Sequence, residues 1–183
     1  IPALFFARKT KCYSDRLLPG FLKCYHTYMK ASYVRNFTFG VDDSLSSTVG
    51  LLSGVASASI ASSTVVLTGI ILIFTDALSM GVGSLLSDQS ASEYVKKSQI
   101  SIFKSLPDAI IMFVSYLIAG LVPLFPYFFF PTPQSIWISV GVTLVALFIL
   151  GIINGNLTHT TPVKFGIRML LLGGSVALAG MLV

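Results

Sequence analysis

Charge is scarce in this sequence. Lys, Arg, Asp and Glu make up 10% of its 183 residues, where a soluble domain carries about 25%. The hydrophobic share is 54% and the mean hydropathy +0.85. A core of this size cannot hide so much apolar surface from water. An ordinary soluble domain is therefore excluded, and an integral membrane protein is expected. Histidine and cysteine are scarce too, at two each. Cys12 and Cys24 both lie in the basic N-terminal segment, at a spacing that fits no common zinc pattern, and are read as reduced thiols. His26, in the same segment, is read as a surface residue. There is no HExxH, no GxSxG and no histidine within an apolar run. An intramembrane enzyme lacks its usual signatures here, and the chain is read as no enzyme. Residues 1–20 lack the order of a secretory signal, because their apolar stretch precedes the positive charges.

What is present is a set of five apolar runs, at about 38–58, 63–86, 108–129, 136–154 and 163–183. Each is near the roughly 20 residues that a helix needs to cross a bilayer. The basic residues sit between the runs. Seven of the twelve Lys/Arg precede residue 36. The successive links then hold none, Lys96, Lys97 and Lys104, none, and finally Lys164 with Arg168. Positive charge therefore alternates from side to side, as the positive-inside rule requires for five spans with a cytosolic N-terminus. The net charge of +5 reads as a topology signal, and no nucleic-acid partner is expected. The expected fold class is an all-α integral membrane protein with five transmembrane helices.

Two domains follow from this reading: a basic segment, 1–35, and a five-helix transmembrane domain, 36–183. In the first, Phe21, Leu22, Tyr25, Tyr28 and Met29 fall near one helical face, which suggests an amphipathic helix on the cytosolic membrane surface. Asn36-Phe-Thr38 and Asn156-Leu-Thr158 match the glycosylation pattern. Both fall on the inferred cytosolic side and are read as chance matches.

Acids inside a span are costly and by default mark an ion or substrate path. Asp42, Asp43 and Asp76 are the candidates. Asp108 opens the third run, where an acid favours the helix dipole, and is read as structural. At about 1.5 Å rise per residue, Asp43 lies roughly 22 Å from the outer end of the first span. Asp76 lies roughly 18 Å down the second span and Met80 roughly 24 Å. These three share one depth to within about a helical turn. Asp76 and Met80 are also i,i+4, on a face with Leu72, Thr75, Ser79 and Gly83. Two carboxylates and a thioether suit a borderline divalent transition metal better than Mg²⁺ or Ca²⁺. Carboxylates also exchange protons, so metal–proton exchange is chemically available. As packing filler, Met80 needs no ligand role at all.

Small residues recur at helix-contact spacing in Gly50-x-x-x-Gly54-x-x-x-Ala58, in Gly81-x-Gly83-Ser84 and around Gly173-Gly174 and Gly180. They serve helix packing or a dimer seam equally well. Pro123 and Pro126 in GLVPLFPY remove backbone donors, and a kink near Ala119–Val122 is expected.

Together these stretches resemble the vacuolar iron transporter family. RNFTFGVDDSLSSTVGLLSGVASA resembles its first helix, DALSMGVGSLLS its second, GLVPLFPY its third, and LLLGGSVALAGMLV is similar to its closing helix. The likeness covers roughly 35–183 in order. It implies a homodimer that moves Fe²⁺, often also Mn²⁺, out of the cytosol by proton exchange. It also implies that Asp43 and Met80 line the path. Two positions depart from the family pattern: Ser44 stands where the family has Gly, and Leu72 where iron-transporting members have Glu. Asp76, one turn further on, is expected to take the role of that Glu. The helical, Glu-rich metal-capturing domain of larger members is absent, since the link at 87–105 has only Asp88 and Glu93 as acids.

The expected metal site is Asp43, Asp76 and Met80. Asp42, Asp88 and Glu93 stand as possible cation collectors at its cytosolic mouth, although Asp42 points roughly 100° from Asp43 and the other two fit a solvated helix extension. Fe²⁺ or Mn²⁺ is the expected cargo, with protons as counter-ion and no permanently bound cofactor. The partners are the lipid bilayer and a second copy. The membrane is either a vacuolar or other endomembrane or a prokaryotic inner membrane. The rival reading is a non-transporting membrane scaffold or assembly factor, whose acids would pair with Lys or Arg inside the bundle. No Lys or Arg lies mid-span.

Overall fold

The computed structural model describes residues 20–58, 60–96, 101–158 and 161–182, with side chains from residue 31 onward except at 95 and 96. Among the described residues the regular elements are helical: α1 (Gly20–Ser57), α2 (Ser62–Lys96), α3 (Leu106–Leu124), α4 (Pro126–Phe129), α5 (Thr132–Leu157) and α6 (Pro162–Leu182), with a 3-10 turn at Ile102–Lys104. The chain divides into two compact units, 1–35 and 36–183. In the first, residues 20–35 are helical. Its expected apolar face (Phe21, Leu22, Tyr25, Tyr28, Met29), with Cys12, Cys24 and His26, lies outside the described side chains.

Among the described residues, four helical segments are long and apolar enough to cross a membrane: Ser62–Tyr94, Leu106–Leu124, Thr132–Leu157 and Pro162–Leu182. The 38-residue α1 is long enough but does not join them among the described residues. Its acids and its many Ser and Thr residues keep its composition too polar. The second expected run ends near residue 86, yet α2 continues to Lys96. Asp88 and Glu93 therefore ride on a helical extension of the span.

The proline pair marks the end of α3. Pro123 lies inside α3, and regular helix is interrupted at Phe125. There Pro126, with no N–H to give, opens the short α4. Just before it, Ser139 of α5 donates its Oγ–H to the Pro123 carbonyl at 2.6 Å. Buried polar backbone in an apolar surrounding needs such a partner.

The five long helices alternate in direction. Asn36 pairs with Asp108, and Ser44 with the backbone of Tyr116, so α1 and α3 run parallel. Gly50 lies against Val176 and Gly54 against Gly180, so α1 and α6 also run parallel. Thr38 bonds Asn154 near the opposite end of α5, which makes α1 and α5 antiparallel. Residues 36–57 of α1 thus touch α3, α5 and α6. They reach α2 as well, through the buried cluster of Leu52, Ala56, Val65, Ile73, Leu124 and Tyr127. The glycine spacing finds its use here. A Cβ on Gly54 would stand 2.7 Å from the Gly180 carbonyl, so the small residues of α1 pack within this chain against α6. Gly83, by contrast, has nothing within 4 Å of its would-be Cβ.

Candidate ion-path site

Helical spacing places Asp43 and Ser47 one turn apart on α1. Both are half-buried. On α2, Ile73 and Ala77 are buried at 2% and 0% exposure. They form the packed face. Leu72, Asp76 and Met80 follow one another at the flank of that face, all half-buried. Thr75, Ser79 and Gly83, expected beside them, are exposed. The Thr75 hydroxyl turns back onto its own helix, to the Ile71 carbonyl.

The third wall is Tyr116 of α3, at 0% exposure. Its hydroxyl donates to Asp76 Oδ2 at 3.1 Å and lies 2.8 Å from Ser47 Oγ. A phenol has one proton to give. With that proton on Asp76, Ser47 is the donor to the phenol oxygen. Ser44 Oγ donates to the Tyr116 carbonyl at 2.6 Å, so α1 grips Tyr116 at both ends. The charge of Asp76 reaches Asp43, and the charges of both acids reach Tyr116. A hydroxyl bridge thus links the helices of the two acids, from Ser47, one turn after Asp43, through Tyr116 to Asp76. Met80 follows Asp76 by one turn on the same flank.

Among the described residues no group of three or more His, Cys, Asp and Glu could hold a metal ion. The candidate donors are two carboxylates and a thioether, while the hydroxyls of Ser47 and Tyr116 are engaged with each other and with Asp76. A permanent structural metal normally has four fixed ligands. Asp42 is half-buried and feels the charge of Asp43. Asp88 and Glu93 are not brought to the site: twelve residues of continuous helix put Asp88 roughly 18 Å from Asp76. Glu93 accepts from Gln89 at 3.2 Å on the same helix.

Asp108 does more than favour a helix dipole. It is 7% exposed, sits in the first turn of α3 and accepts from Asn36 Nδ2 at 2.9 Å. Asn36 is 4% exposed within α1. That burial leaves no access for glycosylation and agrees with reading its motif as chance. Sequence reasoning missed Tyr116 and Ser47. Counting down the third run from Asp108 would have placed Tyr116 roughly 12 Å in, at the level of the acids. The signal was one polar pair, Ser115-Tyr116, in an apolar run.

The model of the VIT family matches residues 34–102 and 97–183, which takes in every helix of the second unit. This chain belongs to the VIT family. Among curated proteins it is similar to vacuolar iron transporter 1 of Oryza sativa subsp. japonica, at 26% identity over 83% of this chain and 84% of that one. It is similar to vacuolar iron transporter 1 of Tulipa gesneriana at 25% identity over 80% and 83%. An uncharacterized protein of Methanocaldococcus jannaschii is 26% identical over 81% and 85%. The tulip alignment runs to 206 residues, longer than this VIT-family chain, so that relative has stretches with no counterpart here. All the site residues named above lie within the matched segments.

Proposed function

We propose that this VIT-family chain carries divalent iron, manganese or both out of the cytosol in exchange for protons. The observation that carries the proposal is the half-buried acids Asp43 of α1 and Asp76 of α2, with a tyrosine hydroxyl bonded to Asp76 and to Ser47, one turn after Asp43. A scaffold would be expected to neutralise such acids with Lys or Arg. Here the hydroxyl that donates to Asp76 belongs to a neutral phenol, which brings no positive charge to it. Two carboxylates can bind one divalent cation or take up protons, and that alternation is the elementary step of an exchanger. Met80 supplies the softer donor that favours Fe²⁺ or Mn²⁺ over Mg²⁺.

The reading includes five membrane crossings, with α1 as the fifth and the N-terminus in the cytosol. It places a surface helix within residues 1–35 and two copies in the working assembly. The membrane is vacuolar, another endomembrane or a prokaryotic inner membrane. The names of the plant relatives support iron as cargo and the vacuole as one location. Asp42 is the collecting acid at the mouth, with Asp88 and Glu93 further out.

The test is Fe²⁺ and Mn²⁺ flux into proteoliposomes under an imposed pH gradient. The parent protein is expected to show gradient-dependent flux. Asp43→Asn and Asp76→Asn are each expected to reduce it at least tenfold, the scale of one lost charge-assisted interaction of about 1.4 kcal/mol. Folded parent protein that moves neither metal would sink the reading. Loss in Asp43→Asn alone would make Asp76 structural.

A further inference from the structure

We propose that Tyr116 is a positioning residue for Asp76, and that its hydroxyl sets how tightly the transported cation is held. This rests on the reading of the Asp43–Asp76 pair as the cation site. Tyr116 is fully buried, yet its polar end is aimed at the one carboxylate of α2 that lies mid-helix. The ring reaches this place from α3, an element that contributes no acid to the pair. Three bonds fix it. Ser44 holds its carbonyl at 2.6 Å, Ser47 holds its oxygen at 2.8 Å, and its own proton holds Asp76 Oδ2 at 3.1 Å.

The chemical consequence is specific. A carboxylate rotates over a broad, two-fold torsional well. With Oδ2 engaged by the phenol, that rotation stops and Oδ1 is left as the freer oxygen for a cation. The cation then meets a preorganised ligand and does not have to order it. Without the hydroxyl, Asp76 keeps its charge but loses its direction. Capture weakens, while later steps that do not depend on Asp76 orientation proceed as before. Tyr116 therefore acts on cation affinity through Asp76, with no need to touch the metal.

The experiment uses the full chain in proteoliposomes with Mn²⁺ as the probe. KM and maximal rate are measured for the parent, Tyr116→Phe and Ser139→Ala, and the melting temperature of each is measured in detergent. Tyr116→Phe keeps the buried ring and removes only the hydroxyl. Ser139→Ala removes a buried bond between α5 and α3, at 2.6 Å from the Pro123 carbonyl, away from the acids. Tyr116→Phe is expected to raise KM about tenfold, the effect of one lost hydrogen bond to a charged acceptor, with maximal rate changed less than twofold. Ser139→Ala is expected to lower the melting temperature and leave KM alone. A parental KM in Tyr116→Phe would overturn the inference. So would a pattern in Tyr116→Phe like that of Ser139→Ala, which would make the hydroxyl a structural tie. Absence of flux in the parent would instead sink the underlying transport reading, and is told apart by that control.

Discussion

Residues 36–57 of α1 and residues 132–157 of α5 are both helical and belong to the same bundle, yet they are built on opposite plans. The α1 segment carries two adjacent acids, and among its most buried side chains are Ser44, Thr48 and Ser53, each at 0% exposure. In α5 the polar residues Ser135, Ser139 and Thr143 are buried as well, while Trp137, Val142, Val145, Ile149 and Ile153 turn outward. The difference is one of neighbours. Residues of α1 meet α2, α3, α5 and α6, so little of its surface is left for lipid. An outer helix must offer hydrocarbon an apolar face, whereas a central one can spend its surface on small and polar contacts. Apolarity thus reports how much lipid a helix touches, and α1 falls short of the apolarity of its neighbours because it is enclosed.

The comparison can be broken most sharply on the outer face. Val145→Asp puts an acid on α5 where the side chain is 59% exposed. It is expected to cost about 3 kcal/mol of membrane insertion, read as lost integration in a translocon assay. An acid tolerated there would mean that α5 does not face lipid. Next in size is the close crossing of α1 and α6. Gly54→Val places side-chain atoms against the Gly180 backbone, which has no flexible end to move. It is expected to destabilise by about 2 kcal/mol in detergent unfolding. Gly83→Ala, in open space on α2, is expected to be neutral or to gain up to about 1 kcal/mol in helix propensity. Equal effects at the two glycines would erase the distinction between enclosed and outer helices. The effect of Asn36→Ala is expected to fall between those of the two glycine changes. It strips the buried Asp108 of one donor and should cost about 1.5 kcal/mol, measured in the same unfolding assay. Asp108→Asn in that background should recover part of the loss, since a neutral amide is cheaper to bury than an acid short of a donor.

Much of this was legible in the residues. The outer helices announce themselves because their apolar runs are long enough for a bilayer and are bounded by Pro, Lys or polar links. The shared depth of Asp43 and Asp76 follows from helical rise alone, once two neighbouring runs are taken to cross in opposite directions. The continuation of α2 to Lys96 was harder to see, because the stretch after residue 86 turns polar while remaining a good helix former. The end of α3 lies beside the visible Pro126, but its tie to α5 was not visible. Ser139 holds the Pro123 carbonyl, and nothing near Pro123 in the sequence announces it. Asp108 and Asn36 were both visible, one as a helix-start acid and one as a glycosylation pattern. Neither local reading reveals that they bond to each other across 72 positions.

The sequence by itself determined the class of this protein, its long helices and which of them carry the acids. Those properties follow from periodicity, rise per residue and the cost of charge in lipid, which each stretch carries on its own. Only the tertiary structure decided which helix is enclosed, which glycines need to be glycines, and that Tyr116 completes the pair. Those depend on which faces meet. A side chain's surroundings are set by residues far away in the chain, and helical spacing can name a face without naming its neighbour.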